Sequence, residues 1–215
     1  MSHARLLVID SATEACSVAL FEHDALLAGS YAELGRGHAE ALVPMIAALP
    51  DKGRAARIMV NLGPGSFTGI RVGLAAARAL GLAWGSAVGG YPCLDLVAAM
   101  ARAQAPGTAL DVAMTGGHGE WFVQPFDADG APLGVLASLD PDTARATCRA
   151  PVVAGSQAEA CAAGRAAALV LRSDARAFHL LPRARWRDDT QPIYGRAPDA
   201  RLPQALAGSG DAPSA

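Results

Sequence analysis

The segment with the strongest chemical character is a glycine-rich turn between an apolar run and a helical pattern: Gly63, Pro64, Gly65, Ser66, Phe67, Thr68 and Gly69. Such a turn can present backbone N–H groups and the positive end of a helix dipole to an anion. It matches neither common nucleotide loop, because no Lys-Ser/Thr pair follows the last glycine and the GxGxxxG spacing is one residue too long. The alternative, which physical reasoning favours, is a tight turn in which Gly69 and Gly73 allow close helix packing.

Metal and peptidase chemistry find little support among the histidines and cysteines. Two metal ligands on one helix face need a spacing of four residues, but Leu34 and Leu42 flank His38 at that distance. The motifs HExxH and GxSxG are absent as well. The cysteines form no CxxC pair and are expected to be buried thiols: Cys16, Cys93, Cys148 and Cys161. We therefore expect no catalytic residue, no metal and no cofactor.

Composition restricts the class of protein. The chain has 215 residues, 52% of them hydrophobic, and a net charge of −2. No apolar run approaches the roughly 20 residues of a membrane helix. The start, Met1–Arg5, lacks the features of a secretory signal, so a cytoplasmic protein without membrane contact is expected.

Arginines cluster late in the chain and could touch nucleic-acid phosphates. They are diluted by acidic residues, however, which favours an ordinary solvated surface. The cluster comprises Arg172, Arg176, Arg183, Arg185, Arg187, Arg196 and Arg201.

The elements of the first half follow from hydrophobic periodicity. Short apolar runs predict three strands over 5–10, 15–21 and 25–33, which must be antiparallel because their links are too short for a crossover. A helix over 37–49, kinked by Pro44, precedes a strand over 57–62. A second helix over 70–84, a strand over 86–89 and a helix opened by Pro92 complete this half.

The second half repeats this order in shorter form. Strands are predicted over 110–115, 120–126, 132–136 and 151–154, with a helix over 141–147 capped by Asp140. Ser156 and Glu159 fit a capping box that opens another helix. Each half thus has the order βββ, α, β, α, which predicts an α/β protein with two related lobes. The expected domains are residues 1–104 and 105–203, followed by a disordered tail over 204–215.

Four segments together resemble the TsaB (YeaZ) family, relatives of the TsaD transferase in the superfamily of actin and sugar kinases (ASKHA). The most specific is GPGSFTGIRVGL, and the resemblance is dense over residues 5–95 and thin over 96–190. Gly119-Glu120-Trp121-Phe122 also resembles a family strand, although 114–118 lacks the basic residue expected just before it. The four segments are Leu7–Leu20, Gly37–Ile46, Gly63–Leu74 and Pro192–Pro198.

The resemblance implies two ASKHA-like lobes, the second reduced, and a chain that is inactive alone. Kinase-like members of the superfamily hold a metal-bound phosphate where Asp10 ends the first strand. They also carry a glycine nearby, whereas Ser11-Ala12-Thr13 follows here. Asp10 is therefore a candidate vestigial nucleotide site.

The implied function is that of an activating subunit that pairs with a TsaD-like transferase and is joined by a TsaE-like ATPase. Together they would make N6-threonylcarbamoyladenosine (t6A) in tRNA, with tRNA contacted only through the complex. The alternative is an ATP-dependent sugar-kinase-like enzyme or a glycoprotease-like peptidase, which ATP turnover by the pure chain would favour.

A helical pairing surface in the first lobe is the last prediction. Two apolar stripes follow helical spacing. One helix pair can bury only part of this apolar surface against its own sheet, so we expect the rest to be exposed and to bind a second copy of the chain or a TsaD-like partner. The stripe residues are Leu42, Met45, Ile46, Leu49, Ile70, Gly73, Leu74 and Ala77.

Overall fold

A computed structural model describes residues 5–164 and 166–195. Its first sheet has the strand order β3-β2-β1-β4-β5. Strands β1 to β3 are antiparallel, whereas β4 and β5 continue the sheet in parallel with β1. The strands are β1 Arg5–Asp10, β2 Ala15–Glu22, β3 Ala25–Glu33, β4 Arg57–Asn61 and β5 Ala87–Tyr91.

The second sheet repeats this topology in the order β8-β7-β6-β9-β10. Three of its strands have only three residues, so the second sheet is smaller than the first. The predicted α/β class with two related lobes is therefore confirmed. The strands are β6 Leu110–Thr115, β7 Trp121–Phe126, β8 Ala137–Leu139, β9 Val152–Ala154 and β10 Ala167–Leu169.

The described residues also form five α-helices and three 3₁₀ segments, two of which follow the last strand. None of the helices in the described part is long and apolar enough to cross a membrane. The helices are α1 His38–Ala47, α2 Phe67–Trp84, α3 Cys93–Gln104, α4 Pro141–Thr147 and α5 Ala158–Ala162; the 3₁₀ segments are Pro50–Gly53, Ala175–Leu180 and Arg183–Arg185.

Successive side chains along the strands of the first sheet point to opposite faces, so the sheet contributes to two separate hydrophobic cores. On β1, Leu7 and Ile9 pack with the helices α1 and α2, while Val8 faces the opposite side. That opposite side is covered by α3 and by the segment 173–181. Period-2 alternation thus lets one sheet bury both of its faces.

Helix α3 lies between the two sheets. Leu94, Val97 and Ala101 pack into the core of the second sheet, whereas Leu96 and Ala99 pack against the first. A helix with apolar side chains on opposite faces can pack against both of its neighbours. The predicted boundary after residue 104 stays a prediction, because α3 contributes to both cores.

The chain returns to the first sheet after β10. Phe178 is buried, and its ring centroid lies 5.0 Å from that of Tyr91 and 4.9 Å from that of Trp186. Arg78 of α2 donates hydrogen bonds to the carbonyl and hydroxyl oxygens of Thr190. The predicted tail 204–215 lies outside the described residues, as do Arg196 and Arg201. The segment 192–198, which we call the C-terminal block, is described only up to residue 195.

Several local expectations need correction. Helix α2 begins at Phe67 rather than Ile70, because the Ser66 hydroxyl accepts the Gly69 N–H at 3.2 Å and caps it. The capping box is wrong, since the Ser156 hydroxyl accepts the Thr115 N–H at 2.8 Å and α5 begins later.

Two further local predictions have opposite outcomes. Residues 132–136 form no strand of their own, and β8 follows at Ala137. The Asp140 cap is confirmed, because its carboxylate accepts the N–H groups of Asp142 and Thr143.

Candidate functional site

Asp10 sits at the carboxyl end of β1 inside a closed hydrogen-bond network. Its side chain is fully buried. One carboxylate oxygen, Oδ2, accepts from Ser173 Oγ at 2.5 Å, Asn61 Nδ2 at 2.8 Å and Tyr91 OH at 3.0 Å. The other, Oδ1, accepts the Ala12 N–H at 3.3 Å.

These contacts give Asp10 a structural role. All of its donors are neutral, and burial raises the pKa of the carboxyl group even though the hydrogen bonds oppose that rise. Burial of Tyr91 raises the pKa of its hydroxyl group well above the usual value, and the adjacent Asp10 carboxylate raises it further. A side chain with no exposed surface and both oxygens occupied offers no open position to a metal-bound phosphate.

The network predicts a pH dependence of stability. Below about pH 3.8, the ordinary Asp value, Asp10 is protonated in both the folded and the unfolded chain. Because the folded pKa is raised, increasing pH removes the proton from the unfolded chain first, and the stability that protonated Asp10 contributes falls as pH rises through the folded pKa. Urea unfolding of the natural chain and Asp10→Asn from pH 3.8 to neutrality should show the natural chain losing stability relative to the variant. A constant difference would contradict the raised pKa.

The glycine-rich turn packs onto the turn that follows β1. The Ser66 N–H donates to the Ala12 carbonyl at 2.7 Å, and the Ser11 hydroxyl donates to the Gly69 carbonyl at 2.9 Å. A Cβ on Gly65 would overlap the Ala12 carbonyl, and one on Gly69 would overlap the Ser11 carbonyl. The two turns are therefore in backbone contact.

The C-terminal block completes this packing. The Ile193 N–H donates to the Leu62 carbonyl at 2.7 Å, directly before the glycine-rich turn. The Tyr194 ring lies 5.2 Å from the exposed Phe67 ring, over which the Arg71 guanidinium stacks at 3.6 Å. The glycine-rich turn thus packs where β4, α2 and residues 192–195 meet.

His38 is the first residue of α1 and is buried. Its Nε2 lies 2.8 Å from the Thr13 carbonyl, so the imidazole fastens α1 to the turn after β1. Within residues 5–164 and 166–195, no three His, Cys, Asp or Glu side chains gather at metal-ligand distances.

The exposure expected of the two apolar stripes is wrong. Met45 is half-buried, and the other seven stripe residues are buried in the core that α1 and α2 share with the first sheet. This face of the sheet is wide enough to cover both stripes, since β1, β2 and β4 all contribute to it. The buried residues are Leu42, Ile46, Leu49, Ile70, Gly73, Leu74 and Ala77.

The same helices expose a different set of residues, which we call the outer rows. Val43 is 61% exposed, Phe67 53% and Leu82 89%. The signal that could have revealed them is a recurrence every three or four residues on each helix, at positions away from the apolar stripes. The remaining members are Ala39 and Ala47 of α1 and Arg71, Ala75 and Ala79 of α2, all exposed.

The late arginines that the structure describes form ion pairs with acidic residues, as the solvated-surface interpretation expects. Arg172 lies 3.2 Å from Glu33, and Arg183 lies 2.8 Å from Asp24. Arg176 forms a pair with Asp174 at 2.7 Å. Among the described residues, this part of the chain alternates in charge and forms no continuous basic track.

The family model that matches residues 32–170 is described as TsaD, tRNA N6-adenosine threonylcarbamoyltransferase. An uncharacterised protein of Mycobacterium tuberculosis is 31% identical over 209 residues, which cover 91% of this chain and 93% of that protein. The tRNA threonylcarbamoyladenosine biosynthesis protein TsaB of Haemophilus influenzae is 38% identical over 112 residues, covering 48% of this chain and 44% of TsaB.

Among solved structures, YeaZ from Pseudomonas aeruginosa superposes with a TM-score of 0.69 at 25% identity, covering 83% of this chain and 90% of YeaZ. The likeness extends over both sheets. It confirms the predicted fold of two ASKHA-like lobes with a reduced second lobe.

Proposed function

The chain belongs to the TsaB (YeaZ) family, and on that premise we propose that it is the non-catalytic pairing subunit of a tRNA t6A-forming complex. Its role in t6A biosynthesis follows from the family. The proposal adds that it activates a TsaD-like transferase by binding it, that a TsaE-like ATPase joins them, and that tRNA is held only through the complex.

The observation that carries the non-catalytic part is the occupied carboxylate of Asp10. In an enzyme of the kinase-like type, a strand-end acid must face a metal-bound phosphate. Here Ser173, Asn61 and Tyr91 take up Oδ2 instead. Beside it, the Ser11–Ala12 turn and the glycine-rich turn are in backbone contact, which supports a structural role for this part of the chain.

The outer rows supply the pairing surface. They combine exposed apolar side chains with alanines, and a flat helix pair of this kind can approach another pair closely. Large apolar side chains that stay exposed on a helix can belong to a partner site. We propose that this face serves a homodimer when the chain is alone and the transferase in the complex.

The functional test is reconstitution with the TsaD-like and TsaE-like proteins of the same organism. We expect the chain to co-purify with the transferase and t6A formation on tRNA to require it. The chain alone should neither hydrolyse ATP nor cleave peptides. Steady ATP turnover by the pure chain would instead support the sugar-kinase-like alternative, and proteolysis would support the peptidase.

Val43→Glu should separate the paired subunits without unfolding the chain. Val43 is 61% exposed, so its replacement costs the core little, whereas a charge buried at the centre of an interface is strongly unfavourable. Size-exclusion chromatography with light scattering should show a loss of dimer, and t6A formation should fall by about tenfold or more.

The matched control is Ala146→Glu, which adds the same charge to an exposed position of α4 in the second lobe. It should pair and function as the natural chain does. If Val43→Glu remained dimeric and fully active with the transferase, the outer rows would not be the pairing surface.

A further inference from the structure

A cleft of about 350 Å³ opens between the two lobes, apart from the Asp10 network and the outer rows. Its walls come from the start of α3, from the second lobe and from the part of the chain over 184–193 that follows β10. The volume falls within the range of small-ligand sites. The residues used below are Pro92, Leu94, Leu136 and Ile193 among the apolar ones and Arg185 and Arg187 among the charged ones.

The charged residues that line the cleft are two arginines and one acid. The Asp95 carboxylate, 3% exposed, accepts from Arg185 Nε at 2.5 Å. Burial raises the pKa of Asp95, and both Arg185 and Arg187 oppose that rise, so both guanidiniums act on one carboxylate. Arg187 is 45% exposed and forms a long ion pair with Asp189, which lies 3.7 Å away outside the lining. An exposed pair of this kind contributes little, so an anion in the cleft can take its place. The wall thus carries two cations and one anion.

Apart from Gln124, the uncharged part of the wall is mainly apolar, and it comes from both lobes. Leu94 belongs to α3, Leu136 to the segment before β8, and Ile193 to the C-terminal block. A site of this composition desolvates an apolar body and leaves one guanidinium to pair with a charge. Inorganic phosphate could pair with the guanidinium but would not contact the apolar walls, whereas a neutral hydrocarbon would contact the walls without pairing with the guanidinium.

We propose that this cleft binds a small organic anion that carries one negatively charged group on an apolar body. Arg187 pairs with the charged group, while Arg185 stays with Asp95 and fixes the floor of the cleft. Leu136 closes the apolar wall from the second lobe. The site is independent of the pairing function, because no residue of the outer rows lines it.

Two dyes that differ only in a sulfonate test the proposal. The anionic dye 1-anilinonaphthalene-8-sulfonate should bind the full chain at a single saturable site, followed by fluorescence. The neutral N-phenyl-1-naphthylamine should bind about tenfold more weakly, because it lacks the charge-assisted hydrogen bond. Inorganic phosphate at the same concentration should not displace the anionic dye. Equal affinity for the two dyes would overturn the proposal.

Matched variants locate the site. Arg187→Gln should weaken the anionic dye about tenfold and leave the neutral dye unchanged, whereas Arg54→Gln, at an exposed position outside the lining, should change neither. Arg187 joins the first sheet through backbone hydrogen bonds to Gly90, which the variant keeps.

The apolar wall has its own pair of variants. Leu136→Glu should abolish binding of both dyes, while Leu133→Glu, 64% exposed in the same segment, should not. If Leu136→Glu fails to fold, as judged by circular dichroism, the Arg187 and Arg54 pair decides. If Leu82→Glu abolished dye binding instead, the dye would be bound at the outer rows rather than in the cleft, and the proposal would be wrong.

Discussion

Gly69→Ala should destabilise the protein by about 3 kcal/mol, although alanine is the better helix former. Helix propensity alone favours alanine by about 1 kcal/mol. The added Cβ, however, would overlap the carbonyl oxygen of Ser11, a backbone atom held in place by the turn after β1. Neither turn can yield without breaking the Ser66 to Ala12 and Ser11 to Gly69 hydrogen bonds, so the clash outweighs propensity.

Urea unfolding followed by circular dichroism measures this loss. Gly117→Ala is the control, because a Cβ at that exposed hairpin glycine meets no atom within 4 Å. It should change the free energy of unfolding by less than about 0.5 kcal/mol. If Gly69→Ala had the same free energy of unfolding as the natural chain, the two turns would not be in backbone contact.

Phe178→Ala should destabilise the protein by about 4 kcal/mol. Phe178 is 1% exposed and packs against Phe21, Tyr91 and Trp186. Its loss would leave a cavity beneath the segment that carries Ser173 to Asp10. We therefore expect the variant to expose the 173–195 segment to protease well before the sheets unfold.

Limited proteolysis and thermal unfolding distinguish this effect from a general one. Leu180→Ala, in the same 3₁₀ segment and 36% exposed, is the matched control and should cost about 1 kcal/mol or less. If the two variants behave alike, the packing of Phe178 does not hold the 173–195 segment against the first sheet.

Local patterns carried the fold prediction. Period-2 runs and short links predicted β1 to β3, and Asp140 before Pro141 predicted the start of α4. The repeated order of elements predicted two related lobes. Errors arose where a side chain had a distant partner: Ser156 looked like a cap in sequence but bonds to Thr115 on the neighbouring strand.

The site was harder to predict for the same reason. Asp10 was recognised as the end of a strand, but its partner Ser173 lies 163 residues away in the chain. Helical spacing identified the apolar stripes of α1 and α2 but not what covers them. A stripe that packs on its own sheet and one that packs on a partner have the same periodicity, so only the three-dimensional packing separates them.

The position of α3 between the two sheets has a mechanical consequence. Kinase-like proteins close on their ligands by rotating one lobe against the other about a hinge. In this chain such a rotation would have to pull α3 out of one of two cores, since Leu96 and Ala99 are packed on one side and Val97 and Ala101 on the other. Close-packed interiors resist that sliding. The molecule should therefore move as a single stiff body, and a partner that binds one lobe would transmit force directly to the other.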